Sequence, residues 1–383
     1  MKLISNQVNN LTHVYENQNL DSWERFVNDA KHSYHTNRTF TKDTEEQFAR
    51  NMMSCDDKIL SLLKKYFSPE DYFLVYNGMI GTGSIGGKAC GMLLARKIIE
   101  KDDPGAFSHM EPHDSYYLGS DVFYTYIVHN KFWRLHINQK TEKGYFKLAP
   151  EIEQKFHQGS FPEATRQQFV HMLNYFSQRP IIVRSSSLLE DGFGNAFAGK
   201  YESVFCINSG TTEERLTELE NAVRTVYAST MNRSALEYRK ERGLGYKEEQ
   251  MALLIQRVSG SMYEDFLIPN AAGVGYSYSS YRWNDSLDTS AGMLRLVMGL
   301  GTRAVDHTEG DYPRIVNLAQ PNRSTLTDSW AKHQYSQRYV DLMDYKTNSL
   351  STRPVKDLTP HMDKWYQRMV SLFLISFSAG HCK

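Results

Sequence analysis

The chain has 383 residues, with 44 Lys and Arg against 44 Asp and Glu and a formal net charge of zero. That balance excludes the basic excess on which bulk nucleic-acid and polybasic membrane binders rely. A hydrophobic fraction of 40% with 13% aromatic residues excludes a disordered chain, and the length calls for two or three domains or subdomains with ample core.

Residues 1–75 are polar and helical in pattern. Trp23, Phe26 and Val27 make one apolar cluster, and Ile59, Leu60, Leu62, Leu63 and Phe67 follow at helical spacing until Ser68-Pro69 closes the helix. No chemistry is legible there, and the region reads as a cap or docking element. Residues 74–88, LVYNGMIGTGSIGGK, form a glycine-rich turn ending in Lys88. The helix ACGMLLARKIIEK follows and stops at Asp102-Asp103-Pro104-Gly105. YYLG at 116–119 reads as a strand, Ser120-Asp121 as an N-cap, and VFYTYIVHNKFW as its helix. Residues 138–162, polar with scattered glycine, read as a loop or small insertion. A helix near 163–178 leads into a strand at 181, SVFCI at 203–207 returns, and a long helical stretch covers 212–241. Leu253 to Ile255 make a buried strand, Gly273 to Ser277 and Leu294 to Met298 two more, and from 320 onward the chain turns polar and helical. Interleaved strands and helices place the fold in the α/β or α+β class.

The most informative stretch is 181–203, IIVRSSSLLEDGFGNAFAGKYES. A short apolar strand delivers Arg184 and three serines. The acidic pair Glu190-Asp191 follows, then a small-residue loop and a second cation, Lys200. Two cations and several hydroxyls around a glycine loop suit a polyphosphate, and the two carboxylates could hold Mg²⁺ beside it. Each residue also has a plainer reading. Arg184 could salt-bridge Glu190 or Asp191, the serines could be turn residues, and Lys200 could be solvated. Gln256, at the end of its strand, could read a base edge or cap a neighbouring strand.

Two glycine turns bracket this block. Gly83-Ser84-Ile85-Gly86-Gly87-Lys88 is close to a P-loop but has Ala89 where that pattern needs Ser or Thr. It is either a tight turn with a surface lysine or a helix N-terminus where amides and ammonium share an anion. Gly299-Leu300-Gly301-Thr302-Arg303 is the second, trailed by Asp306, Glu309 and Asp311. Cys55, Cys90, Cys206 and Cys382 stand far apart with no CxxC, and the 13 histidines form no HxH, HExxH or CxxH spacing, so free thiols are expected and a zinc site is not. No G-x-S-x-G elbow appears. MKLISNQVNN lacks a signal pattern, and the longest apolar run, Met369 to Ala379, is broken by serines, short of the ~20 residues that cross a bilayer. A soluble cytoplasmic protein with no nucleic-acid or membrane partner is the expectation.

Taken together, GGK (86–88), YYLGSDVFYTYI (116–127), the 181–203 block, LLIQRVSG (253–260), GVGYS (273–277) and GLGTRAVD (299–306) resemble the nucleotide-binding domain of the phosphoenolpyruvate synthase and pyruvate phosphate dikinase family, in the family's order. The resemblance implies an ATP-grasp-like α/β fold in two lobes with ATP between them and an N-terminal helical extension. The corresponding division is a helical extension at 1–74, a first lobe at 75–180, a second at 181–319, and a helical, truncated segment at 320–383. It implies ATP and Mg²⁺ as cofactors and phosphoryl transfer to a histidine on a separate swivelling domain, which then serves pyruvate or another acceptor. Neither the phosphohistidine domain nor the acceptor domain is in this chain.

By matching, Lys88 and Arg184 would hold phosphates and act in catalysis. Ser203 would offer a phosphate-contacting hydroxyl, Gln256 would lie at the adenine hinge, and Lys200 would complete the nucleotide set. Glu190 and Asp191 then become loop-ordering residues. The departures are equally specific. Relatives end this domain with a strand carrying D-x-E for the catalytic Mg²⁺ and, about a dozen residues later, Q-x-R-P. Neither motif is found between 316 and 383, so no metal ligand is assigned. Thr302 replaces the glutamate common after the GLG turn. The expectation is a truncated or split member, catalytically incomplete alone, or alternatively a non-catalytic nucleotide-binding or regulatory remnant. An unrelated ATP-grasp ligase is a third reading.

Overall fold

The glycine turn before Lys88 is seated on an unexpectedly large helical base. A computed structural model describes residues 20–190, 199–282, 287–305, 310–322 and 329–358. Asp191, the loop through Ala198, Asp306, Glu309 and the apolar run at 369–379 lie outside the described residues. The chain divides into two units: Met1–Tyr175, Ile182–Val204 and Leu216–Gln256 in the first, and Phe176–Ile181, Phe205–Arg215 and Arg257–Lys383 in the second.

The first unit opens with α1 (Ser22–Asn37), α2 (Lys42–Phe48), a π-helical turn at Ala49–Met53, α3 (Asp57–Tyr66) and α4 (Pro69–Asn77). Asp21 and Glu24 form a reciprocal capping box at the start of α1. α3 does end just before Ser68-Pro69, as expected, and the same pair opens α4. Ser68 pairs with Asp71 in a second capping box, with Pro69 in the first turn, where its missing N–H costs nothing. Phe26, Phe40, Phe48, Tyr72 and Phe73 stack on one another at centroid distances of 5.0–6.5 Å. They share one core with Met52, Leu63, Ile85, Cys90, Leu94, Tyr117 and Leu254. The helical base and the glycine turn are therefore continuous hydrophobic structure.

Strand β1 (Met79–Ile80), α5 (Gly87–Asp102), α6 (Pro104–Phe107) and β2 (Ser115–Leu118) follow, then α7 (Ser120–His129), α8 (Trp133–Gln139), α9 (Ala149–Gln158) and α10 (Glu163–Phe176). The stretch 138–162, expected as a loop, thus holds α9 and the end of α8. Ile152 and Phe156 on α9 are fully buried, and the Phe156 ring packs on Phe123, Tyr126 and Tyr227. α9 has only three apolar residues, Ala149, Ile152 and Phe156, to mark its 3.6-residue period. Strands β3 (Ile181–Ser187) and β4 (Ser203–Cys206), helices α11 (Thr212–Ala228) and α12 (Arg233–Glu241), and β5 (Met251–Arg257) complete the unit. Its sheet runs β1-β2-β5-β3-β4. β1 and β2 are parallel, and β2 and β5 antiparallel, with Ser115 opposite Gln256 and Leu118 opposite Leu253. Met251 to Ile255 are fully buried, as a continuous apolar run requires.

The second unit carries two antiparallel sheets. One is β8 (Ala272–Tyr276), β9 (Met293–Val297) and β10 (Arg314–Asn317), in the order β10-β9-β8. The other contains β6 (Ser261–Tyr263), β7 (Phe266–Ile268), β11 (Tyr339–Asp344) and β12 (Ser349–Pro354), in the order β12-β11-β7-β6. Short helices α13 (Thr302–Val305), α14 (Ser329–Gln334) and α15 (Val355–Leu358) accompany them. The expectation of a helical chain beyond 320 is corrected at its centre, where β11 and β12 form a hairpin paired from Tyr339–Pro354 to Asp344–Ser349. At the start of β11, buried Val340 and Leu342 alternate with Tyr339 and Asp341, the period of a strand.

Candidate functional site

In the first unit the glycine turn is built from both ends. Ser120 and Asp121 reach back to it instead of capping their own helix. Asp121 Oδ1 accepts from the Gly83 amide at 2.8 Å, Ser120 Oγ from the Ser84 amide at 3.2 Å, and the Ser84 carbonyl from the Ser120 amide at 3.0 Å. The Ile85 amide donates to the Met52 carbonyl at 2.9 Å. Gly86 then turns at φ 81°, ψ 173°, a conformation open essentially to glycine alone. A Cβ there would stand 1.4 Å from the Ser186 carbonyl oxygen, and one on Gly87 2.0 Å from that of Glu190. The glycine pair thus lets the first turn of α5 press against the end of β3. Ser186 locks the contact, accepting from the Ala89 amide at 3.0 Å and donating to the Ile85 carbonyl at 2.8 Å.

Lys88 enters this junction. Its Nζ lies 2.8 Å from Glu190 Oε2 and donates to Ser185 Oγ at 3.3 Å. Glu190 is 2% exposed, so the carboxylate is a nearly desolvated counter-ion held beside the N-terminus of a 16-residue helix. Arg184 extends from the same strand, and its Nη1 donates to Gln256 Oε1 at 3.4 Å. Gln256 Nε2 donates in turn to Ser115 Oγ on the adjacent strand at 3.2 Å and to Met92 Sδ at 3.1 Å. The structure therefore groups Lys88 with Ser185 and Glu190, and Arg184 with Gln256. Ser203 is exposed at the start of β4, next to β3 in the sheet. Lys200 lies over the Tyr238 ring, 5.5 Å from its centroid.

A buried ionic knot ties together the residues on either side of the loop after β3, and its hub, Glu249, was not among the residues singled out above. Ser187, just before the loop, hydrogen-bonds one Glu249 carboxylate oxygen. Tyr201, just after it, donates to the other at 2.6 Å. Arg239 Nε lies 3.3 Å from the same carboxylate. All four residues are buried. Burial, and then the Glu249 charge, push the Tyr201 phenol well above its ordinary range, so it stays a donor. The pattern E-E-Q before an apolar strand looks like solvated polarity, and only the distant Tyr201 and Arg239 give it meaning.

In the second unit Arg303 is clamped between two carboxylates. Nη1 meets Asp311 Oδ2 at 2.5 Å and Nη2 meets Asp341 Oδ1 at 3.1 Å. Asp341 accepts two further bonds, from Thr302 Oγ1 and Thr352 Oγ1, each at 2.7 Å. Thr352 is its directly paired residue across the β11–β12 hairpin. Met343, two residues along β11, is fully buried among Ile207, Leu267 and Leu300. Asp344 binds Arg353 Nη2 at 3.1 Å and the amides of Lys346 and Thr347. Burial raises its carboxyl pKa, but the Thr347, Arg353 and Lys346 hydrogen bonds outweigh this and hold it below the usual carboxylate value.

The family model of the pyruvate phosphate dikinase AMP/ATP-binding domain matches residues 82–364. The chain belongs to that family. No curated protein matches it. A pyruvate phosphate dikinase AMP/ATP-binding domain of mixed helix and sheet is thus the frame in which both halves are read. The matched range runs through the β11–β12 hairpin. Asp341-Leu342-Met343 stands on β11 where D-x-E is expected, and Ser351-Thr352-Arg353-Pro354 on β12 where Q-x-R-P is expected. Asp341 and Arg353 are twelve positions apart, close to the expected spacing, with methionine where that pattern has glutamate and serine where it has glutamine. The Arg-Pro pair was the available signal. Among the described residues no group of three His, Cys, Asp or Glu could hold a metal ion. The Mg²⁺ the family implies is not accommodated by this hairpin, whose carboxylates are committed to Arg303 and Arg353. No described helix is long and apolar enough to cross a membrane.

Proposed function

We propose that this chain binds an adenine nucleotide on an ATP-grasp-type fold, with the polyphosphate received where α5 meets β3. The observation that carries this reading is the Lys88–Glu190 pair at the mouth of a glycine-seated helix N-terminus. The protein keeps an anion of its own at a place built to stabilise negative charge. Lys88 and Arg184 would take phosphate oxygens, Ser203 would add a hydroxyl and Lys200 a further cation, while Gln256 would meet the base edge. In the family reading, such a domain serves a phosphotransferase that phosphorylates a histidine carried elsewhere. Positioning and charge neutralisation dominate that chemistry.

The second reading, a nucleotide-binding or regulatory remnant without transfer chemistry, is favoured by the hairpin, where Met343 stands in the place of a ligand carboxylate. The test of binding is Arg184→Ala. ATP or AMP should raise the melting temperature of the wild-type chain and leave that of the variant unmoved. If the variant melts lower without nucleotide and keeps the full nucleotide-induced shift, Arg184 is a structural residue and the assignment fails.

A further inference from the structure

Of three departures from the family pattern, one binds the Asp341 carboxylate directly and the other two lie on the hairpin that carries it. Thr302 stands where a glutamate is common, and its hydroxyl binds Asp341. Met343 stands where the second carboxylate of D-x-E is expected, and it points into the apolar core. Ser351 stands where a glutamine is expected, and the next residue, Thr352, binds Asp341 from across the hairpin. Arg303 completes the set, bridging Asp341 to Asp311. Asp311 is itself fixed, since its other oxygen accepts from the Arg338 amide at 2.5 Å.

We infer that this cluster has replaced a divalent-cation site by an internal guanidinium, so that the chain takes its nucleotide as the free, metal-uncomplexed anion. The inference rests on the nucleotide-binding reading for its ligand but not for its metal part. Its physical basis is a count of charge and lone pairs. A hard cation needs about six oxygens at close range, usually including more than one carboxylate. Asp341 offers one carboxylate, and both its oxygens already accept bonds from Arg303, Thr302 and Thr352. A cation arriving there would face a fixed guanidinium that no pH change removes. The side chain that could have tipped the balance, residue 343, carries no oxygen. A protein so arranged gains nothing from metal-chelated nucleotide over free nucleotide, because among the described residues no group of three His, Cys, Asp or Glu could hold the ion.

The test has two independent arms on the full chain. Titration with MnCl₂ alone, followed by the electron paramagnetic resonance of free Mn²⁺, should show no bound ion at millimolar concentration. Saturable Mn²⁺ binding that Asp341→Asn abolishes would overturn the inference. In the second arm, ATP and AMP are titrated calorimetrically in EDTA and in excess MgCl₂. Dissociation constants should agree within about twofold, whereas tightening by about tenfold or more in MgCl₂ would be a coupling that refutes it. If neither nucleotide binds under either condition, the nucleotide reading and the free-anion part fall together, while the manganese arm still decides whether the cluster holds a cation.

Discussion

Gly86→Ala tests the junction on which the whole candidate site depends. The new Cβ would lie 1.4 Å from the Ser186 carbonyl oxygen and 2.5 Å from its carbon, so backbone must move. Holding a non-glycine residue at φ 81°, ψ 173° costs about 1–3 kcal/mol. Separating α5 from β3 also breaks the bonds from the Ala89 amide to Ser186 Oγ and from Ser186 Oγ to the Ile85 carbonyl, at about 1 kcal/mol each. The sum is roughly 3–5 kcal/mol, a large part of a domain's stability. At about 2–4 °C per kcal/mol for a unit of this size, melting should fall by roughly 6–20 °C.

Gly91, on the same helix, provides the control. It is exposed, and a Cβ there meets nothing within 4 Å, so Gly91→Ala should stabilise by about 1 kcal/mol through helix propensity. Thermal unfolding followed by circular dichroism separates the two variants by sign. If Gly86→Ala melts within about 2 °C of the parent, where less than 1 kcal/mol would be at stake, the glycine pair does not set the junction and the argument fails.

Two further outcomes follow from charges inside the first unit. Lys88→Met leaves the 2%-exposed Glu190 without its ammonium. Breaking a buried pair costs about 3–5 kcal/mol, and the 24% exposure of the Lys88 side chain reduces the expected loss to about 1–3 kcal/mol through solvent screening. Adding Glu190→Gln should recover part of that loss in urea unfolding, and a double variant no more stable than Lys88→Met would deny the coupling. His136 is almost wholly buried, and neither ring nitrogen has a hydrogen-bond partner. Burial, and then the Lys140 charge, hold its pKa down at about 4 against an ordinary 6.5. The unfolded chain therefore takes up this proton first. The stabilisation is complete above pH 6.5 and drains away as pH falls towards 4, by up to roughly 3 kcal/mol. His136→Phe should flatten urea midpoints compared between pH 7 and pH 4.5, and an unaltered slope would place the acid sensitivity elsewhere.

What the sequence made legible followed the strength of local periodicity. The strands at 181 and 251 are dense apolar runs, and the helices after Lys88 and at 212–241 bury regular stripes, so each was read near its true position. The hairpin at 339–354 was lost because its strands, YVDLMD and SLSTRP, carry no long apolar run and flank turn-forming Lys346, Thr347 and Asn348. Within the site, residues marked by a local motif, such as Lys88 after its glycine turn and Arg184 at the end of its strand, could be singled out even though their partners lie far off in sequence. Those with no local mark could not. Ser120 and Asp121 read as a cap because a cap is the local use of those side chains, whereas their partners are thirty-six and thirty-eight positions back. Glu249 and Asp341 likewise acquire their roles only from residues that folding brings to them.

The shared core of the first unit bears on where the protein can be cut. The family match begins at residue 82, which invites an expression boundary there. Such a fragment would lose Val27, Phe48, Met52, Leu63 and Tyr72, all fully buried, and with them the apolar lining that Ile85, Ala89, Cys90 and Leu94 pack against. It would also lose the Met52 carbonyl that receives the Ile85 amide. The glycine turn would then rest on a bare greasy surface. The smallest piece worth producing therefore starts upstream of α1, and failure of a shorter one to stay in solution would report on its boundary and not on its ligand.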